Sequence, residues 1–487
     1  MTLDVLHPLV HSLSKAEKRY SRLELGKTTG ETGFMYLFDC LLKHETPGEE
    51  LTTALARRFP GATLEPARKH LYRMLMQALR QFEQDKRIDV RLGQLLHDSQ
   101  LLHDRGLVQA SQAVLTKVQR LALQYERSPY VVLAARQQIE QWVRAQFDGV
   151  DEPMLAAQHA LIRQEADRSQ TAWQHAALYE TLLHRYRAFG VASQPADTLR
   201  LNDLLLEEYQ LLNRQKQTSF AMRQQHLHFQ SAYLRMIGDG AGSLRVYREL
   251  DGLFQENPTL WAEQPMYYVQ LIDGILSDLR LLERFDEMHF YIDRLNGLVV
   301  SATGLSQVVR YQALVHSLLM HLDQGQLAEA QALVPDRSAT AFLDFARELT
   351  QLPLLLRTTV QLALVRLAMR QGQLSAALHQ LNQVLTLPMR SLPAGLATQS
   401  RLLYLLIQAR LGNADHLVYA LRSARRAMKS TGALARGEQF VLQLVQHWLD
   451  GKLSTKTLTQ LDELANSPAQ DQLLRDLDIR HWIRAFV

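Results

Sequence analysis

The stretch from Thr358 to Pro388 constrains the fold more than any other. Between Val360 and Met369 the residues are apolar nearly all round, as in a helix buried on every side. Arg370-Gln371-Gly372-Gln373 makes a short polar turn. Leu374, Ala377, Leu378, Leu381, Val384 and Leu385 then recur at helical spacing until Pro388 ends the run. Two helices joined by so short a turn form an αα-hairpin. One hairpin cannot cover the apolar surface of both its helices, so the surrounding chain must supply neighbours.

Similar turns recur. Asp104-Arg105-Gly106-Leu107, Gly240-Ala241-Gly242, the run from Glu283 to Glu287, the phrase from Gln324 to Ala330, Leu411-Gly412-Asn413 and Asp450-Gly451-Lys452 each precede or separate helical stripes. From positions 240, 284, 325, 372, 412 and 451 the spacings are 44, 41, 47, 40 and 39. That period is nearer the ~40–47 of HEAT-type units than the 34 of tetratricopeptide units.

The wording of the turn decides for the shorter-period family. Gly372, Gln373, Leu374, Ser375, Ala376 and Ala377, closed by Pro388, resemble the second helix of a tetratricopeptide repeat, and Gly325-Gln326-Leu327 with Ala330 repeats the phrase. Val365 and Ala368 depart from the family's usual small residue and Tyr. The resemblance implies an all-α chain, an α-solenoid of stacked antiparallel hairpins with a lengthened period. It also implies that ligand contacts come from exposed positions of the first helix, here Thr359, Leu362, Arg366, Met369 and Arg370. Arg366 and Arg370 stand four apart, spaced to meet one carboxylate or an acidic peptide. Ala377 is expected at the tight crossing of the hairpin.

Composition agrees with an all-α reading. Ala, Leu, Gln, Arg and Glu dominate, all good helix formers, and no run alternates in the manner of a strand. At 487 residues the chain exceeds one compact core, but a repeat array can use all of it. The formal charge of +4 is too diffuse to demand nucleic acid. A lone Cys40 excludes an internal disulfide and a cysteine-based zinc site. The stretch from Met1 to Lys18 is broken by Asp4, His7, Pro8 and His11, unlike a signal peptide. Arg357 and Arg366 interrupt the apolar run from Leu352 to Met369, so no segment reads as a membrane span. A cytoplasmic protein is expected.

Residues 1–90 read as a separate helical cap or small bundle, and 91–487 as the array. In the first part Ser14 and Glu17 form a capping-box signature. Helices are expected after Ser14, over Phe34–Lys43, from Glu49 to Phe59 and from Pro66 to Phe82, four in all. The register between residues 130 and 235 stays open.

No local motif carries catalysis. Gly26-Lys27-Thr28 ends like a phosphate-binding loop, but position 21 is Ser21 and the stretch follows a helix, not a strand. His226 and His228 are two apart, so a helix points them to different sides. The sequence contains no H-E-x-x-H, G-x-S-x-G or dinucleotide fingerprint, and no enzyme activity, metal or cofactor is expected.

Two basic groups stand out. Arg422, Arg425, Arg426 and Lys429 share one helical face, and Arg57, Arg58, Arg68, Lys69 and Arg73 are opposed locally by Glu65 alone. The expected function is a protein–protein interaction scaffold that receives a peptide or partner helix. The alternative is a regulator whose N-terminal bundle binds nucleic acid through the Arg57–Arg73 group, the less favoured partner. Nothing in the sequence fixes an oligomeric state.

Overall fold

The computed structural model describes residues 2–27, 33–44, 48–84, 86–192, 195–214, 219–262, 264–299, 303–335, 340–388, 391–429, 434–453, 456–465 and 468–486. Those residues contain 26 α-helices and no strand, so the chain is all-α. Contacts divide it into two compact units, residues 1–170 with 299–306 and residues 171–298 with 307–487.

The first unit holds α1 (Leu3–Ser12), α2 (Lys15–Gly26), α3 (Gly33–Lys43), α4 (Glu49–Arg58), α5 (Leu64–Glu83), α6 (Ile88–Asp104), α7 (Val108–Gln124) and α8 (Ser128–Arg144). The 38-residue α9 (Glu152–Phe189) belongs partly to each unit. Helices α1 to α5 share one core built on Leu37, Phe38, Leu51, Leu71 and Leu75. Another core, with Leu92, Leu115, Val118 and Val131, joins α6 to α8. The division expected near residue 90 is thus one between two cores inside the first unit.

The capping box forms: Glu17 N–H donates to Ser14 Oγ at 3.2 Å, and Ser14 N–H to Glu17 Oε2 at 2.7 Å. Five helices precede residue 90 where four were expected. Pro8 lies inside the extra one, α1, and the interruption by His7, Pro8 and His11 hid its periodicity. Those histidines have a packing use: His7 Nε2 lies 2.8 Å from His44 O, and His11 Nε2 lies 2.9 Å from Leu41 O. They occupy carbonyls at the end of α3 that the helix leaves unpaired. Thr28 of the rejected phosphate-loop match lies outside the described residues.

The second unit continues with α10 (Pro195–Arg214), α11 (Phe220–Met236), α12 (Gly240–Glu256), α13 (Pro258–Trp261), α14 (Pro265–Leu281), α15 (Phe285–Asn296), α16 (Thr303–Gln324), α17 (Leu327–Ala332) and α18 (Thr340–Gln351). Then follow α19 (Leu354–Arg370), α20 (Leu374–Leu385), α21 (Ala394–Arg410), α22 (Ala414–Lys429), α23 (Arg436–Leu449), α24 (Lys456–Ala465), α25 (Pro468–Asp476) and α26 (Ile479–Arg484). Successive helices pack on one another: α11 on α12, α12 on α14, α14 on α15, α19 on α20, α20 on α21, α21 on α22.

The turns that punctuate the sequence share one physical device. Gly372 takes φ +72°, in the left-handed region that a side chain disfavours. That conformation lets Gln373 N–H donate to Ala368 O at 2.9 Å and Gly372 N–H to Met369 O at 3.2 Å, the Schellman closure of a helix end. The same reach across five residues recurs from Leu107 to Leu102, Arg284 to Leu279, Gln326 to His321, Asn413 to Gln408 and Lys452 to His447.

Around Gly372 every residue from Val360 to Met369 is buried, and α19 begins earlier than expected, directly after Pro353. Ala377 is fully buried in a core with Leu381, Val384 and Leu402. Replacing it by Leu adds volume where the packing has none to spare. We expect Ala377→Leu to lower stability by roughly 1–3 kcal/mol, measured by thermal or urea denaturation. An unchanged melting temperature would show that this hairpin does not close at Ala377.

Candidate functional site

Three charged residues spaced 43 positions apart define the site. Arg280 is the penultimate residue of α14, Asp323 of α16, and Arg366 lies one turn before the end of α19; the two spacings are each 43 residues. Asp323 Oδ2 accepts from Arg280 Nε at 2.7 Å, and its Oδ1 from Arg366 Nη1 at 2.6 Å. All three side chains are buried. The carboxylate thus sits between two guanidinium groups contributed by the helices on either side. Burial pushes Asp323 up, but Arg280 and Arg366 outweigh it and hold its pKa at about 2.

The C-terminal helices lie against these helix ends. Asp476 pairs with Arg280, and Asp478 pairs with Arg370 at 2.5 Å. Arg475 pairs with Glu283 at 3.1 Å and with Asp471 at 2.9 Å. Its guanidinium also approaches the carbonyls of Arg280 and Leu281 at 3.5 and 3.4 Å, a cation at the negative end of α14. Trp482 is fully buried and donates its indole N–H to Leu406 O of α21 at 2.9 Å. Gln470 Oε1 accepts from Gly437 N–H at 2.7 Å, in the first turn of α23. A Cβ at position 437 would sit 2.5 Å from that oxygen, so glycine permits the approach. One segment, residues 470–482, therefore touches α14, α19, α21 and α23.

This arrangement relocates the residues expected to receive a partner. Leu362 and Met369 lie in the hydrophobic core, and Arg366 is 2 % exposed. Thr359 and Arg370 remain half-buried. The resemblance implies exposed positions, but Leu362 and Met369 pack into the core and Arg366 is buried beside Asp323. Arg366 and Arg370 do face acids, as their spacing suggests; the acids are Asp323 and the chain's own Asp478. Burial raises the Asp478 carboxyl, against the pull of Arg370 and Arg366. Asp323, Arg280, Asp476 and Asp478 were missed in the sequence. The recurrence of Arg, Asp, Arg at 43-residue intervals is the signal that finds Arg280 and Asp323; no sequence signal points to Asp476 or Asp478.

The basic groups are placed as follows. Arg422 and Arg426 are exposed on α22, Arg425 is half-buried beside Leu442 O of α23, and the side chain of Lys429 lies outside the described residues. Arg57 and Arg58 are exposed at the C-terminal end of α4, where a helix favours cations. On α5, Lys69 pairs with Glu65 at 2.8 Å, Arg73 lies 3.0 Å from His70 Nδ1, and Arg68 is half-buried. Both α4 and α5 pack on α3.

His226 and His228 part company as expected. His226 pairs with the buried Glu208, whereas His228 lies between the hydroxyls of Tyr179 and Tyr267. Burial lowers the His228 pKa to about 4. Among the described residues no cluster of three or more His, Cys, Asp or Glu is placed to hold a metal ion, and no helix is long and apolar enough to cross a membrane. Another stripe of α19 borders a cavity of about 620 Å³, lined by Phe345, Leu349, Gln361, Leu364 and Gln383. Comparison with protein-family models, curated proteins and solved structures finds no match for the chain.

Acid should dissect the buried charges. His228 is depressed in the folded state, so its contribution is complete above about 6.5 and is lost as pH falls toward about 4. Asp323 is depressed further, so its contribution is lost only between about 4 and 2. We expect Asp323→Asn to cost roughly 3–5 kcal/mol at neutral pH, because it leaves the buried Arg366 guanidinium without its carboxylate. It should also remove the lower stage of acid unfolding, followed by circular dichroism. An acid transition identical to wild type would contradict the assignment.

Proposed function

We propose that the chain is a protein–protein interaction scaffold: a tetratricopeptide-like α-solenoid in the cytoplasm whose first helices, α14, α16, α19, α21 and α23, form a surface that receives a helical segment of a partner. One observation carries this reading. A helical segment, residues 470–482, already rests on four of those helices and pairs its carboxylates with Arg280 of α14 and Arg370 of α19. Stacked hairpins repeat a side-chain position at fixed intervals, which suits recognition of an extended helix over a long surface. Successive turns with the same closure, and ion pairs 43 residues apart from Arg235 to Asp278 and from Arg280 to Asp323, agree with a regular stack.

The test is site-specific photo-crosslinking. A benzophenone side chain at Thr359, half-buried on α19, should give a discrete crosslinked species in cells of the native host. The same group at Tyr419, exposed on α22, should not. The species should disappear when Arg370 is changed to Glu. Identical products from both positions, or none from Thr359, would contradict a partner surface at α19.

A further inference from the structure

The segment that covers the proposed surface is held in two different ways. In α26, Ile479, Trp482 and Ile483 are fully buried in the core that also contains Leu402, Leu406 and Val445. Helix α25 buries Leu474 in the same core, but it meets α14 through charge: Asp476 on Arg280, and Arg475 on Glu283 and the end of α14. Among the members less than a quarter exposed, the receiving side carries Arg280, Arg366 and Arg370 against Asp323, a net +2. The segment carries Asp471, Asp476 and Asp478 against Arg475, a net −2.

The seat also fits its present occupant imperfectly. Arg366 Nε, Arg370 Nε and Asp478 Oδ2 are buried without hydrogen-bond partners. Asp478 itself stands in the left-handed region at φ 55°, between the two helices. Such outliers concentrate where function holds a backbone in place. A buried ion-pair network is a weak way to seal a fold, because desolvation cancels much of the attraction, but it is selective for charge and register.

We propose that α25 is an intramolecular stand-in for an external ligand: an acidic peptide, helical up to the first of two carboxylates and turned out of the helix before the second, as at Asp476 and Asp478, that binds Arg280, Arg366 and Arg370 after α25 and Asp478 lift. The proposal rests on the scaffold reading and names its partner's chemistry. The lifted part ends at Asp478, and α26, buried from Ile479 on, stays in the core as the anchor. Because α25 is tethered, it competes at a high effective concentration, and the site opens only to a ligand that exceeds it.

Hydrogen exchange on the full-length chain tests the opening. Fraying from the C-terminus would make α26 exchange faster than α25. Lifting of α25 predicts the reverse order, with α25 amides exchanging at least about 100-fold faster than those of α21 and α26 protected like α21. Equal protection of α25 and α21 makes α25 a fixed part of the fold and overturns the proposal, while crosslinking at Thr359 still decides the scaffold reading independently.

The binding arm uses a labelled peptide of residues 468–478, capped at both ends. It should bind the full-length Arg475→Gln/Asp476→Asn variant at least about tenfold more tightly than wild type. Adding Arg280→Gln, or replacing the peptide's acids by their amides, should abolish binding. Fast exchange of α25 without peptide binding to the loosened variant also overturns the proposal. Wild-type exchange decides the first arm even if that variant proves unstable.

Discussion

Asp323 is the constraint on which the rest of the second unit depends. It is a fully buried carboxylate, and such a group is tolerable only if it is neutralised where it sits. Arg280 and Arg366 do this from 43 residues before and 43 residues after. Arg366 depends on the aspartate in turn, whereas Arg280 also has Asp476. The three helix ends are thereby fixed in register: sliding one helix by a turn past its neighbour would leave a buried charge alone. Apolar packing supplies most of the cohesion, but it is indifferent to such a slide, since a stripe of leucines fits its neighbour at several offsets.

The same chemistry explains the C-terminal segment. With two arginines committed to one aspartate, the cluster retains excess positive charge, and Arg370 adds to it. Asp476 and Asp478 balance that excess. Arg475 turns toward the carbonyls of Arg280 and Leu281 at the negative end of α14. The segment thus satisfies charged groups at the ends of α14 and α19.

Much of the helical framework is legible in the sequence, because the signals are local. Gly372, Gly325, Gly412 and Gly451 mark turns by a backbone requirement, and the α19–α20 hairpin follows from its apolar pattern and Gly372. The interruption by His7 and Pro8 concealed α1, since its histidines pair with carbonyls of α3 that are distant in sequence. The candidate site was half legible. The family phrase leads to Arg366 and Arg370, and their spacing implies an acidic contact. What local pattern cannot supply is the burial of Leu362, Arg366 and Met369, or the identity of the acids, because Asp323 and Asp478 come from elsewhere in the chain. The recurrence of opposite charges at 280, 323 and 366 is readable only once these three positions are seen to meet.

The dependence of the C-terminal segment on charge is measured most directly by a double-mutant cycle between Arg370 and Asp478. Asn at position 478 tolerates the left-handed backbone as Asp does, so Asp478→Asn removes the charge without adding strain. Paired with Arg370→Gln, it gives the coupling energy from four unfolding curves. A pair this buried should show a coupling of about 1 kcal/mol or more. Additivity within about 0.3–0.5 kcal/mol would mean that the two charges do not act on each other, and the segment would owe its place to Trp482 and its apolar neighbours alone.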